Sequence, residues 1–229
     1  MKGRKIMATD ENNKELTNDD VVGLIVHAYN NFLSGMMGYS ELTLLDCENP
    51  SQVKHINHSL ESGHEAVHFG KTLLASIGRL QADMKLYPLK ELLEPIFEKN
   101  DEKIFVSGLD SNKNTLIKTN ITWFQECFTD LLQFISNYAE NQKISVSLEL
   151  DKESQKLIVS FCVADISMSD NDIQNLFTPF YSSKNMLGEK DIGLSKAKGF
   201  FRQMNADLSW VNGEGFLLEI RLFDSAERT

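Results

Sequence analysis

The sequence predicts an α+β protein. A helical hairpin pairs with a second copy to form a four-helix bundle and leads into an α/β sandwich, a mixed sheet with helices on one face. Three observations predict it. Residues 17–45 and 51–84 space their apolar side chains three and four apart. That periodicity stops at Tyr87-Pro88. Beyond it, short runs alternating at period two interleave with amphipathic helical runs, the pattern of a layered sheet-and-helix domain.

Residues 1–16 are polar and charged and read as a flexible tail, residues 17–86 as the hairpin and residues 87–229 as the second domain. The first helix has a start signal: Thr17 caps it, Asp20 completes a capping box, and Leu16 staples against Val21. Its apolar stripe runs through Val22, Val26, Tyr29, Leu33, Met36, Met37 and Leu44. Glu48-Asn49-Pro50-Ser51 makes the turn. The second helix then carries a heptad, with Val53, Leu60, Val67, Leu74 and Gln81 in one register and Ile56, Gly63, Gly70, Ile77 and Met84 in the other. Two helices cannot bury such seams alone, so dimerisation is expected. Each glycine costs the helix about 1 kcal/mol relative to alanine. Their recurrence at one seam position points to close backbone approach or to a looser mid-bundle segment. In the second domain the pattern gives helices over 89–99, 122–140 and 192–204 and short strands at 104–107 and 116–118. It also gives a hairpin pairing 144–150 with 157–163, and a last one pairing 208–211 with 216–222 around Asn212-Gly213.

A chain of 229 residues that is 41 % hydrophobic can bury one large or two modest cores. Its net charge of −10, with no basic cluster beyond residues 2–5, argues against a nucleic-acid partner. No apolar run reaches the length of a membrane span, and the first residues lack the apolar core of a secretion signal. Cys47, Cys127 and Cys162 lie far apart without metal spacing and read as reduced thiols of a cytoplasmic protein. His55, His58, His64 and His68 crowd the second helix. At about 100° per residue, His64 and His68 share one face and His55 and His58 another. No cysteine or carboxylate completes a ligand set, so no metal is expected.

On the first helix a second line runs beside the apolar stripe: His27, Asn31, Ser34 and Gly38, at i, i+4, i+7 and i+11. After the imidazole these residues are small or polar. They leave a nucleophile with clearance, where a docking protein could bring a phosphoryl group, and Ser34 and Gly38 would belong to the docking face. The plainer reading is a solvated histidine on an amphipathic helix.

The segment His27-Ala28-Tyr29-Asn30-Asn31-Phe32-Leu33, then Gly38-Tyr39-Ser40-Glu41-Leu42, resembles the phosphoacceptor helix of sensor histidine kinases, which often reads His-Asp-x-Asn-Asn-Leu-Leu and then Gly-Tyr-x-Glu-Leu. Further along, Phe177-Thr178-Pro179-Phe180 matches the family's Phe-x-Pro-Phe block. The resemblance covers residues 18–223, the dimerisation and histidine-phosphotransfer domain followed by a GHKL-type (Bergerat-like) ATPase domain. It implies that His27 is the phosphoacceptor. It also implies that Asn31 sits where relatives place an amide or hydroxyl that orients water for dephosphorylating a receiver; a helix-surface asparagine is the equal alternative.

The chain departs from the family where ATP chemistry is done. Ala28 replaces the acid beside the histidine, so general-base polarisation from that position is lost. The family's Asp-x9-Asn-x3-Asn becomes Asn120, Asp130 and Phe134, and Phe134 offers no oxygen to the Mg²⁺ that accompanies ATP. Phe134 reads instead as a core residue. The Asp-x-Gly-x-Gly turn becomes Asp165-Ile166-Ser167-Met168-Ser169, keeping the Asp but neither glycine. The phosphate loop shrinks to Gly188-Glu189-Lys190-Asp191-Ile192-Gly193-Leu194-Ser195, with the Asp191 carboxylate where phosphate would sit. Asp130, Phe134, Asp165, Gly188 and Gly193 thus mark a vestigial nucleotide site, with ATP and Mg²⁺ binding expected to be lost.

What the resemblance implies is a dimeric, ATP-independent histidine phosphotransferase. It would relay phosphoryl groups between His27 and the aspartates of response-regulator receiver domains, with an upstream histidine kinase and with Mg²⁺ supplied by the receiver. The alternatives are a non-catalytic pseudokinase that binds a receiver or a kinase, a divergent ATP-dependent kinase, and a receiver phosphatase acting through Asn31.

Overall fold

The computed structural model describes residues 17–99, 103–138, 143–163, 168–181, 192–211 and 215–221. The expected tail, Leu16 and the Asn212-Gly213 turn lie outside them. Two long helices come first, α1 (Asn18–Leu45) and α2 (Pro50–Ser76). Asn49 caps α2, its side chain accepting from the Ser51 amide at 3.0 Å, and Pro50 occupies the first turn, where its missing N–H costs nothing.

The second heptad was expected to run to Met84, but α2 ends at Ser76. Gly78 adopts φ +71°, and the Gly78 and Arg79 amides bond back to the Ala75 and Leu74 carbonyls at 2.9 and 2.8 Å. This left-handed closure ends the helix and leaves Gln81 and Met84 outside it. The stripe on α1 also differs. Val26 is buried and Val22, Leu33, Met37 and Leu44 are half-buried, but Tyr29 and Met36 are exposed. Asn30 and Ser40 take their places toward α2, because a 4-3 alternation from Val26 lands on them. The glycine seam of α2 faces α1, and what fills it is side chain rather than backbone. A Cβ at Gly63 would lie 2.8 Å from Met37 Cγ, and one at Gly70 would lie 2.9 Å from Asn30 Oδ1 and 3.2 Å from Val26 Cγ1.

The second domain contains β1 (Lys85–Pro88), α3 (Leu89–Glu98), β2 (Ile104–Ser107), α4 (Leu109–Asn112), β3 (Leu116–Thr119) and α5 (Ile121–Tyr138). After these come β4 (Ile144–Asp151), β5 (Lys156–Val163), α6 (Asp170–Asn175), α7 (Gly193–Gln203), β6 (Ala206–Val211) and β7 (Gly215–Arg221). The main sheet has the order β2-β4-β5-β7-β6, parallel only between β2 and β4, and β1 pairs with β3 in a separate ribbon. The mixed sheet and both hairpins follow the sequence pattern; β1, α4 and α6 are additions to it.

One sheet face is apolar, and α5 and α7 pack over it. Ile144, Val146 and Leu148 alternate inward on β4, as do Leu157, Val159 and Phe161 on β5. They meet Phe124, Phe128, Phe200 and Phe201 from the helices, all at most 1 % exposed. At the β4–β5 turn, hydrogen bonds from the Ser154 side chain, the Ser154 amide and the Glu153 amide hold the Asp151 carboxyl below its ordinary range.

Candidate functional site

His27 is exposed on α1, and its Nδ1 lies 3.4 Å from Asn31 Nδ2 one turn on. Ser34 is exposed along the same face, and nothing stands within 4 Å of a Cβ placed on Gly38. The structure therefore brings His27 and Asn31 together, with Ser34 exposed beside them and Gly38 half-buried but open at its Cβ position. An amide N–H directed at Nδ1 requires that nitrogen to be unprotonated; the amide turned over would accept Nδ1–H and free Nε2 as the nucleophile.

His27 also lines an open cleft of about 670 Å³. Leu24 and Asn30 join it from α1, Lys71 and Leu74 from α2, and Arg79 to Gln81 from the segment after α2. Lys71 and Arg79 stand far from the histidine in the chain, and no motif in the sequence joins them to it. The hairpin register was the available signal: Gly70 opposes Val26 and Asn30, so the next residue falls beside His27.

The positions where the family keeps its nucleotide chemistry carry other work here. Asn120 caps α5, accepting from the Trp123 amide at 3.2 Å and donating to the Asp83 carbonyl at 3.1 Å. Asp130 Oδ2 lies 2.6 Å from Lys196 Nζ, which also meets Glu126 Oε1 at 2.7 Å. Burial raises the Asp130 pKa, and the Lys196 ammonium offsets only part of that. Burial also opposes charge on Lys196, but Asp130 and Glu126 outweigh it and hold its pKa above the ordinary lysine value. Burial likewise pushes the Cys127 thiol up, so it stays protonated and inert. Phe134 packs edge-on against Phe216, with centroids 5.9 Å apart. Ser169, where the family places a glycine, caps α6: it accepts from the Asp172 amide at 3.1 Å and donates to Asp172 Oδ2 at 2.7 Å. Gly193 opens α7. Asp165, Gly188 and Asp191 lie outside the described residues.

The second domain is seated directly on the base of the hairpin. A Cβ on Gly199 would collide with the Ala75 carbonyl oxygen and come within 2.5 Å of that of Ser76, so α7 and α2 touch backbone to backbone. Arg202 Nη2 donates to the Ile77 carbonyl at 3.0 Å, and Gln203 Nε2 to that of Leu80 at 2.9 Å. His68 of α2 stacks on Trp123 and reaches Glu126 at 3.4 Å. His58 pairs instead with Glu61 at 3.1 Å on the outer face of α2. Among the described residues no helix is long and apolar enough to cross a membrane.

No protein-family model matches the chain, and no curated protein matches it in sequence. Solved structures do match in fold. The Acinetobacter baumannii histidine kinase AdeS aligns with a TM-score of 0.52 at 13 % identity, over 84 % of this chain and 96 % of that one. Full-length ShkA, crystallised with AMPPNP, aligns at 0.60 and 12 % identity over 91 % of this chain, which spans only 47 % of ShkA. The catalytic domain of the histidine kinase ThkA aligns at 0.51 and 19 % identity over 61 % of this chain and 95 % of its own. The helical hairpin followed by this mixed sheet with its helices on one face is the fold of the histidine kinase core.

Proposed function

We propose that this protein is a dimeric histidine phosphotransferase, moving phosphoryl groups between His27 and receiver aspartates without using ATP. The observation that carries the reading is the redeployment of the nucleotide-site positions. Asn120 and Ser169 cap helices, Asp130 pairs with Lys196, and Phe134 packs on Phe216. That set does not fit a magnesium-bound triphosphate, whose hard cation needs free oxygen ligands. His27 with its amide neighbour, by contrast, stands open to a docking protein.

In the transfer, a ring nitrogen of His27 forms an N–P bond to the aspartyl phosphate of a receiver. The P–O bond breaks, its electron pair returns to the aspartate carboxylate, and the other ring N–H proton leaves to water. The receiver brings Mg²⁺ and most of the charge stabilisation; the hairpin contributes a positioned nucleophile.

The dimer rests on a second seam of α1. Ile25, Ala28, Phe32, Gly35, Tyr39 and Leu42 alternate three and four apart and are all exposed, Phe32 at 73 % and Tyr39 at 76 %. Ala28, where the family has its acid, is a small residue of this seam, and a second copy of α1 covers it in a four-helix bundle. Phe32→Asp converts the dimer to a monomer in sedimentation equilibrium without loss of helical signal, whereas an unchanged mass sinks the seam assignment.

The function is tested by offering the protein labelled Mg-ATP and, separately, a phosphorylated receiver. Acid-labile label reaches His27 from the receiver only, and His27→Ala takes none. Label from Mg-ATP makes the protein an autokinase. A His27→Ala variant that still supports signalling makes it a pseudokinase scaffold, the second reading, which the loss of the acid at Ala28 favours.

A further inference from the structure

We propose that Asn31 is a positioning residue for His27: its amide oxygen holds a proton on Nδ1, which leaves Nε2 as the atom that takes and returns the phosphoryl group. The inference rests on the transfer reading above and deepens it. Its ground is the geometry of the ring. Among the described residues the Asn31 amide is the group that meets the imidazole, 3.4 Å from Nδ1, and both residues are exposed, one helical turn apart. Nδ1 is thereby turned along the helix, and Nε2 is left as the nitrogen that an incoming protein can reach. The adjacent Asn30 turns the other way, against Gly70.

The tautomer decides whether Nε2 is reactive. In water an imidazole prefers its proton on Nε2, and in that form it has no lone pair to offer there. Which nitrogen is protonated is set by the hydrogen bond the other makes. The amide nitrogen and oxygen of Asn31 are alike in size, and with the amide turned over Oδ1 accepts Nδ1–H. As Nε2 bonds to phosphorus and the P–O bond of the receiver breaks, the ring becomes cationic and the Nδ1–H bond to Oδ1 becomes charge-assisted. That proton then leaves to water. For the return, Nδ1 regains a proton from water, again held by Oδ1, and the N–P bond breaks with its electron pair going back to Nε2. Ala28 offers no carboxylate for this work. The neutral amide orients the ring without acting as a general base. That suits an acyl phosphate, a mixed anhydride whose leaving group is already a stable carboxylate.

The ring is read by ¹⁵N NMR of histidine-labelled protein in mildly alkaline solution. The rate is read with phosphoramidate, a small phosphodonor that removes receiver docking from the measurement. Wild type should carry its proton on Nδ1 and its phosphoryl group on Nε2. Asn31→Leu should move the ring toward the Nε2–H form and slow acceptance about five- to tenfold, the effect of one net hydrogen bond. Asn31→Asp, which can only accept, should keep both the tautomer and the rate. An asparagine that is merely structural, or that orients water on a receiver, would not move the ¹⁵N signature. A wild-type ring protonated on Nε2, or an Asn31→Leu variant equal to wild type in tautomer or in rate, overturns the inference and leaves the transfer reading intact. A wild-type protein labelled by neither phosphoramidate nor a phosphorylated receiver overturns the transfer reading, and the role of Asn31 with it.

Discussion

Lys196→Met destabilises the protein by about 3–5 kcal/mol near neutral pH, the cost of removing one partner from a buried ion pair. The ammonium, its side chain 7 % exposed, is shared by Asp130 and Glu126, at 30 % and 28 %. Without it both carboxylates stay largely buried with no ammonium between them. The pH dependence has a definite sign. In the wild type the folded-state pKa of Lys196 is raised, so its contribution is complete below the ordinary lysine value and is lost only as pH rises through the raised one. In the variant Asp130, already raised by burial, loses the ammonium that offsets it, so the penalty persists at neutral pH and is relieved as the carboxyl protonates in mild acid. Urea unfolding at pH 5 and pH 8 reads the difference, which is larger at pH 8. A gap independent of pH would reduce the role of Lys196 to packing. In the double variant Lys196→Met/Asp130→Leu part of the stability returns, since two apolar groups replace the pair.

That network also shows where sequence reasoning stops. Periodicity carried the second domain well: 144–150 and 157–163 alternate inward and outward with no polar residue on the buried face, so register and partner followed directly. It carried α1 less well, because one helix holds two interleaved 4-3 seams and the richer in apolar residues is the exposed one. The helix half-buries Asn30 and Ser40 while Tyr29 and Phe32 stay exposed, a pattern that the proposed dimer would explain and that apolar content alone does not give. The end of α2 was hidden because Ile77 and Met84 keep the heptad phase through Gly78, and only the backbone angle shows the break. At the site, His27 and Asn31 were legible as neighbours on one helix face. Lys71 and Arg79 needed the pairing of two helices, and Lys196 with Asp130 the pairing of α7 with α5. Loss of the family's ligands could be read position by position, but the new work of Asn120, Asp130 and Ser169 could not.

Gly199→Val costs at least about 3 kcal/mol, the upper range for overpacking, because the collision is with carbonyls of α2 rather than with a side chain that could turn aside. Gly199→Ala is the sharper experiment. On a helix free of α2 it would stabilise by about 1 kcal/mol through propensity; against the Ala75 carbonyl it destabilises instead. The sign of that change, from thermal or urea unfolding, reports whether α7 is seated on the hairpin. Amide exchange should locate the damage at residues 74–81, where Arg202 and Gln203 hold the Ile77 and Leu80 carbonyls. Here Ala75 and Leu80 belong to the same buried cluster as Phe124 and Phe201, so the boundary is a shared core. A stabilised Gly199→Ala would mean that α7 is not seated on the α2 carbonyls and remove the physical reason for regarding the second domain as a fixed support. A destabilised one, with slower phosphoryl acceptance at a histidine it does not touch, ties the support to the chemistry through the backbone of residues 77–80.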